Sequence, residues 1–115
     1  MIVNKHRGEV KAVLDGKPFI LCLTLGALAE LEVAFDVDDL GALTERFSSG
    51  KLSANDLNRI IGAGLRGAGH LVEDSDLKSM QIDGGASGFA NLASELLTLT
   101  FAATPELANH VIGVS

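Results

Sequence analysis

The sequence predicts an α+β fold: an N-terminal β-hairpin followed by four to five short helices, the last of them the longest. Three observations predict it. Asp15-Gly16 stands between two strand-like runs, the apolar period changes from two to about 3.6 at Thr24, and capping and breaking residues divide the chain beyond Thr24 into helical lengths.

The hairpin comes first. Leu14-Asp15-Gly16-Lys17 centres the Asp-Gly pair in a two-residue type I′ turn, whose central residues both need positive φ. That turn fixes the register, pairing Val13 with Pro18, Ala12 with Phe19, Lys11 with Ile20 and Val10 with Leu21. Val10, Ala12, Phe19, Leu21 and Leu23 then share one face, assigned to the core. Glu9, Lys11, Val13, Ile20 and Cys22 share the other, which is mixed. Pro18 falls at a non-hydrogen-bonded pair, where its missing N–H is directed away from the first strand. A lone hairpin is only marginally stable, so helices must cover one face, while the other face and the strand edge are left for a second copy or a partner.

Thr24 caps the first helix, with Leu28, Leu31 and Phe35 on one stripe and Glu30 and Glu32 turned to water. Asp36 and Asp38 offer caps for a second helix carrying Leu40, Leu43 and Phe47, which Ser48-Ser49-Gly50 ends. Ser53 starts a third, with Asp56 three residues on as a variant of the capping box. Leu57, Ile60, Ile61 and Leu65 make its buried stripe. Its C-terminal half, Gly62 to Gly69, is rich in Gly and Ala, which lowers helix propensity but lets a neighbour approach closely. Glu73 to Gln81 is expected to make one or two turns carrying Leu77 and Met80, capped from Asp74 or Ser75. After the Asp83-Gly84-Gly85 break, the last helix runs from about Ala86 to Ala103. Phe89, Leu92, Ala93, Leu96 and Leu99 or Thr100 form one stripe; Ala90, Leu97 and Phe101 form a second beside it. So wide an apolar arc is buried on two sides or meets a partner.

The 115 residues fit one domain, read as 8–104 with a flexible N-terminus at 1–7 and a C-terminal tail at 105–115. Apolar residues make up 47% and charged residues 21%, the balance of a folded rather than a disordered chain. With five Phe, no Trp and no Tyr, the aromatic walls usual in small-molecule pockets are scarce. Nine basic against fifteen acidic side chains give a net charge of −6, which repels a phosphate backbone and makes direct nucleic-acid binding a poor expectation. The single cysteine, Cys22, fits a reducing cytoplasm. The polar, basic Met1 to Arg7 is not followed by the apolar run of a signal peptide, and Phe19 to Leu23 is far too short to cross a bilayer, so no membrane association is expected.

The motifs that carry chemistry fail one by one. Gly62, Gly64 and Gly67 satisfy G-x-G-x-x-G literally, but they come after Ile60 and Ile61 inside or at the end of a helix. A dinucleotide needs those glycines in the turn before a helix, where N–H groups are free. Asp36, Asp38 and Asp39 hint at a calcium loop, but Leu40 and Phe47 stand where oxygen ligands are required, and helix capping accounts for the aspartates. His6, His70 and His110 are far apart and have no His or Cys at metal-ligand spacing. Cys22 reads as an inert, half-buried thiol. No catalytic, cofactor-binding or metal-binding residues are assigned, and the chain is expected not to be an enzyme.

In order, the residues do resemble a family. Gly8-Glu9-Val10 leads into the Leu-Asp-Gly-Lys hairpin. Next come Leu23-Thr24-Leu25-Gly26-Ala27-Leu28-Ala29-Glu30-Leu31-Glu32, then Leu43-Thr44-Glu45-Arg46-Phe47, and a helix ending in Ala63-Gly64-Leu65-Arg66-Gly67-Ala68-Gly69. The whole, from Gly8 to Phe101, resembles the small tail protein encoded among the tail genes of bacterial gene transfer agents and related long-tailed phages, described both as a tail tube protein and as a tail assembly chaperone. The tail after Pro105 and the Asp-rich Asp74 to Asp76 depart from it.

The resemblance implies a non-enzymatic role in building a phage-like tail. As a chaperone, the chain would bind the helical tape-measure protein, mask its apolar stripes and help tail-tube subunits gather round it. The alternative is a structural tube or connector subunit of the particle. One hairpin supplies little strand for closing a ring by strand pairing, so the chaperone is the preferred expectation. No cofactor is implied. The sequence leaves the oligomeric state open, with a homo-oligomer among the options, and the location expected is the cytoplasm or a phage-like particle. Ile20, Leu97 and Phe101 are the candidate partner-contact residues.

Overall fold

The computed structural model describes residues 8–49 and 51–102; the expectations for 1–7 and 105–115, and for His6 and His110, lie outside them. Positive φ at Asp15 (51°) and Gly16 (74°) closes the type I′ turn between β1 (Val10–Leu14) and β2 (Lys17–Leu21). The pairing is the predicted one, extended to Leu14 opposite Lys17 at the turn. Val10, Ala12 and Leu14 point into the core from β1 and Leu21 from β2. Leu14, which the sequence reading left in the turn, is only 1% exposed. Phe19, assigned to the core, is half-buried and meets the His70 ring edge-on at 5.1 Å.

Among the described residues five helices complete the fold, and side-chain caps set the starts of the first three. Thr24 Oγ1 accepts the Ala27 N–H at the start of α1 (Leu25–Ala34). For α2 (Leu40–Ser48) the cap is Asp39, whose Oδ1 accepts the Ala42 N–H at 2.8 Å, and not Asp36 or Asp38. Asp36 instead turns the chain after α1, at a φ of 54°. In α3 (Ala54–Gly67) the capping box is complete: Ser53 Oγ accepts the Asp56 N–H and Asp56 Oδ2 accepts the Ser53 N–H. Then α4 (Asp74–Leu77) is shorter than Glu73 to Gln81 and is capped from Glu73, whose N–H donates to Asp76 Oδ2. Gln81 is taken by the hairpin: its N–H donates to Asp15 Oδ1 and its carbonyl accepts the Asp15 N–H. That tie pulls the chain out of helical geometry. The longest helix, α5 (Gly85–Ala102), has 18 residues.

The buried residues of all these elements form one cluster, centred on Ile60, Ile61 and Leu65 of α3, Leu21 of β2, Leu31 of α1 and Leu96 of α5. Glycine lets α3 sit in that centre. A Cβ on Gly64 would lie 2.7 Å from Leu96 Cδ2, and one on Gly67 would collide with the Cys22 carbonyl oxygen. The approach is close enough for the Cys22 N–H to donate to Gly64 O at 2.9 Å.

Candidate protein-contact surfaces

Two arginines lock the outer faces of the helices in place. Arg46 of α2 donates to Asp56 of α3 at 2.9 Å and to Lys51 O, and its guanidinium lies over the Phe35 ring. Burial alone would raise the Asp56 carboxyl, but the Ser53 N–H and the Arg46 charge outweigh it and hold the group below the usual carboxylate range. Arg66 of α3 pairs with Glu30 of α1, reaches Asp74 at 3.0 Å and donates to Val72 O. Glu30 thus points outward, as the sequence suggests, but is tethered there.

Among the described residues three apolar surfaces remain, besides the singly exposed Leu71. The first is the outer face of α1. Leu25, Ala29 and Val33, at i, i+4 and i+8, fall within about 80° of helix surface, opposite the buried Ala27, Leu28 and Leu31. Leu25 is 78% exposed and Val33 83%. This ridge escaped the sequence reading, which assigned only Glu30 and Glu32 to the solvent side of α1. The i, i+4, i+8 spacing was its signal.

The second is the outer face of the hairpin, where Val13 and Pro18 are exposed and Ile20 is half-buried. Here the sequence had left a strand edge open for pairing, and the structure largely occupies it. Along β2, His70 Nε2 donates to Ile20 O at 3.2 Å, the Cys22 N–H is spent on Gly64 O, and Pro18 has no N–H to give. Along β1, Leu14 bridges to Ile82 at the turn end.

The third is the second stripe of α5. Ala90 is exposed, while Leu97 and Phe101, one turn apart, are half-buried and pack against the core cluster. Of the three candidate contact residues, Leu97 and Phe101 therefore sit together on one helix and Ile20 sits apart on the hairpin.

Among the described residues no cluster of metal-ligating side chains marks a chemical centre. Gly62, Gly64 and Gly67 lie inside α3, where their N–H groups belong to the helix ladder and their bare Cα atoms serve packing. Among the described residues no three His, Cys, Asp or Glu side chains come together to hold a metal ion, and no helix is long and apolar enough to cross a membrane. The chain reads as an acidic body of small helices around a hairpin, with apolar surface to spare. Against models of known families, residues 7–103 match the one described as phage tail tube protein, GTA-gp10.

The chain belongs to that phage tail tube family.

Membership spans both strands and all five helices of the described residues, so the family definition covers this fold and not one motif within it. It agrees with the gene-transfer-agent and phage-tail resemblance of the sequence, and its description fits the tube alternative better than the chaperone reading. Comparison with curated proteins and with solved structures finds no match.

Proposed function

We propose that this phage tail tube family member is a non-enzymatic structural subunit of a phage-like tail, which works by contacting other tail proteins. The observation that carries the reading is the family match over residues 7–103, which takes in the whole of the described fold. The apolar ridge on α1 supplies a surface for such contacts, and the occupied hairpin edge directs them to helix faces rather than to strand pairing. Mass spectrometry of purified particles tests it. A structural subunit is present in many copies per particle, and its absence from finished particles would sink the reading.

A second reading, the tail assembly chaperone, has a specific observation in its favour. A tube closed by strand pairing needs a sheet with free edges, whereas the described residues hold a two-stranded sheet whose β2 edge is taken by His70 and Gly64. A chaperone would bind the tape-measure protein during assembly and then leave. It predicts a soluble complex on co-expression with the tape measure together with absence from the particle.

A further inference from the structure

We propose that the outer face of α1 is a docking site for a partner helix whose apolar stripe is flanked by Lys or Arg. The inference deepens the protein-contact reading above and rests on it. The ridge Leu25, Ala29, Val33 runs about 12 Å along the helix and turns its two large side chains to solvent. Ala29 at its centre leaves room for another helix to approach closely. Such a ridge matches helix-in-groove recognition, in which residues at i, i+4 and i+8 meet an apolar stripe on the partner.

The charges around the ridge choose the occupant. Glu32 borders it on one side and Glu30 on the other, and Glu30 is the one already paired, with Arg66. The last turn of α1 holds no basic residue of its own, and the one cation the described residues place near its C-cap, Arg46 over the Phe35 ring, is already paired with Asp56. Asp36, Asp38 and Asp39 come directly after the helix, all exposed. None of the three ion pairs among the described residues engages Glu32 or these aspartates. A partner with basic flanks finds complementary charge along the ridge and beyond its C-terminal end.

A second copy of the chain does not fit this surface. Each copy carries −6, and pairing two ridges would bring the same carboxylates together. Three side chains also fall well short of the roughly 800 Å² per partner that a stable dimer buries.

The test uses the full chain and two labelled peptides of about six helical turns (~21 residues). Both carry a Leu/Ala stripe, one with Lys on its flanks and the other with Glu. Fluorescence anisotropy should show the Lys peptide binding about tenfold or more tighter than the Glu peptide, with the gap closing as salt rises from about 0.05 to about 0.5 M. Val33→Asp and Leu25→Asp should each weaken the Lys peptide about tenfold while leaving the thermal melt intact, since both positions are exposed. Val13→Asp, on the hairpin, should change nothing. Glu32→Lys should shrink the preference between the peptides. Equal binding of the two peptides, or undiminished binding by Val33→Asp, overturns the proposal. So does a dimer in sedimentation that Val33→Asp dissolves, since the occupant would then be a second copy. If Val33→Asp still enters particles or still co-purifies with tail proteins while peptide binding fails, the tail reading stands and the α1 site falls.

Discussion

Gly67 and Gly26 are both helical glycines, and their surroundings give substitution opposite signs. A Cβ on Gly67 runs into the Cys22 carbonyl oxygen, a backbone atom fixed by the contact between α3 and the end of the hairpin. A Cβ on Gly26 meets only Thr24 Oγ1, at an ordinary 3.9 Å. Gly67→Ala is therefore expected to destabilise by about 1–3 kcal/mol through forced backbone movement. Gly26→Ala should stabilise by about 0.5–1 kcal/mol, because alanine loses less conformational freedom in a helix. Urea unfolding of the two variants checks both signs at once. Two stabilised variants would mean that α3 tolerates a side chain where it meets the hairpin. The same geometry shows why G-x-G-x-x-G was readable as a false positive: glycine serves close packing as readily as phosphate binding, and only its place along the helix separates the two uses.

At the scale of elements, the α3 start is the most strongly held. Asp56 closes the capping box with Ser53 and also pairs with Arg46. Its carboxyl is held below the usual range, so the folded state favours the ionised form. The resulting stability is present above the unfolded value of about 3.9 and is lost as pH falls through the lower folded one. Asp56→Asn keeps an oxygen for the Ser53 N–H but gives up the charge facing Arg46. It should cost about 1 kcal/mol at pH 7, and thermal melts should find the gap to wild type narrowing below about pH 4. A constant gap from pH 7 to 3 would show that the Asp56 charge adds nothing. This box was legible in the sequence because Ser53 and Asp56 have the required spacing and no rival. The α2 and α4 starts were misplaced because each lies in a run of acids, Asp36 to Asp39 and Glu73 to Asp76, where local spacing cannot rank neighbouring caps. The length of α4 was beyond a local reading for another reason. It is cut short by Gln81 binding Asp15, a partner 66 residues away in sequence. The hairpin register was fully legible, since a two-residue turn leaves no freedom to slip. The α1 ridge was not legible in the same way, because the widest apolar arc in the sequence belongs to the longest helix, α5, whose second stripe packs on the core through Leu97 and Phe101.

At the scale of the whole molecule, the hairpin bears on how copies or partners can join. A two-stranded sheet offers two edges, and both are blunted. Pro18, His70 and Gly64 deal with β2, and the Ile82 bridge closes the turn end of β1. On the rest of β1 the exposed Lys11 stands at a non-hydrogen-bonded pair opposite Ile20, so its backbone groups face outward beside a charged side chain, a common guard against strand addition. Association is therefore expected at helix faces, in line with the proposal above. The exchange rate of the Lys11 amide reads it directly. In the isolated chain the register turns this amide away from β2, and it should exchange fast compared with that of Ala12, which the register turns toward β2. On incorporation into a particle, or on binding a tail partner, helix-face contact should leave the Lys11 rate nearly unchanged. Slowing by about two orders of magnitude or more would mean that the β1 edge gains a strand in the assembly. The guarded edge would then be a feature of the isolated chain alone, and the assembly would be built by β-augmentation.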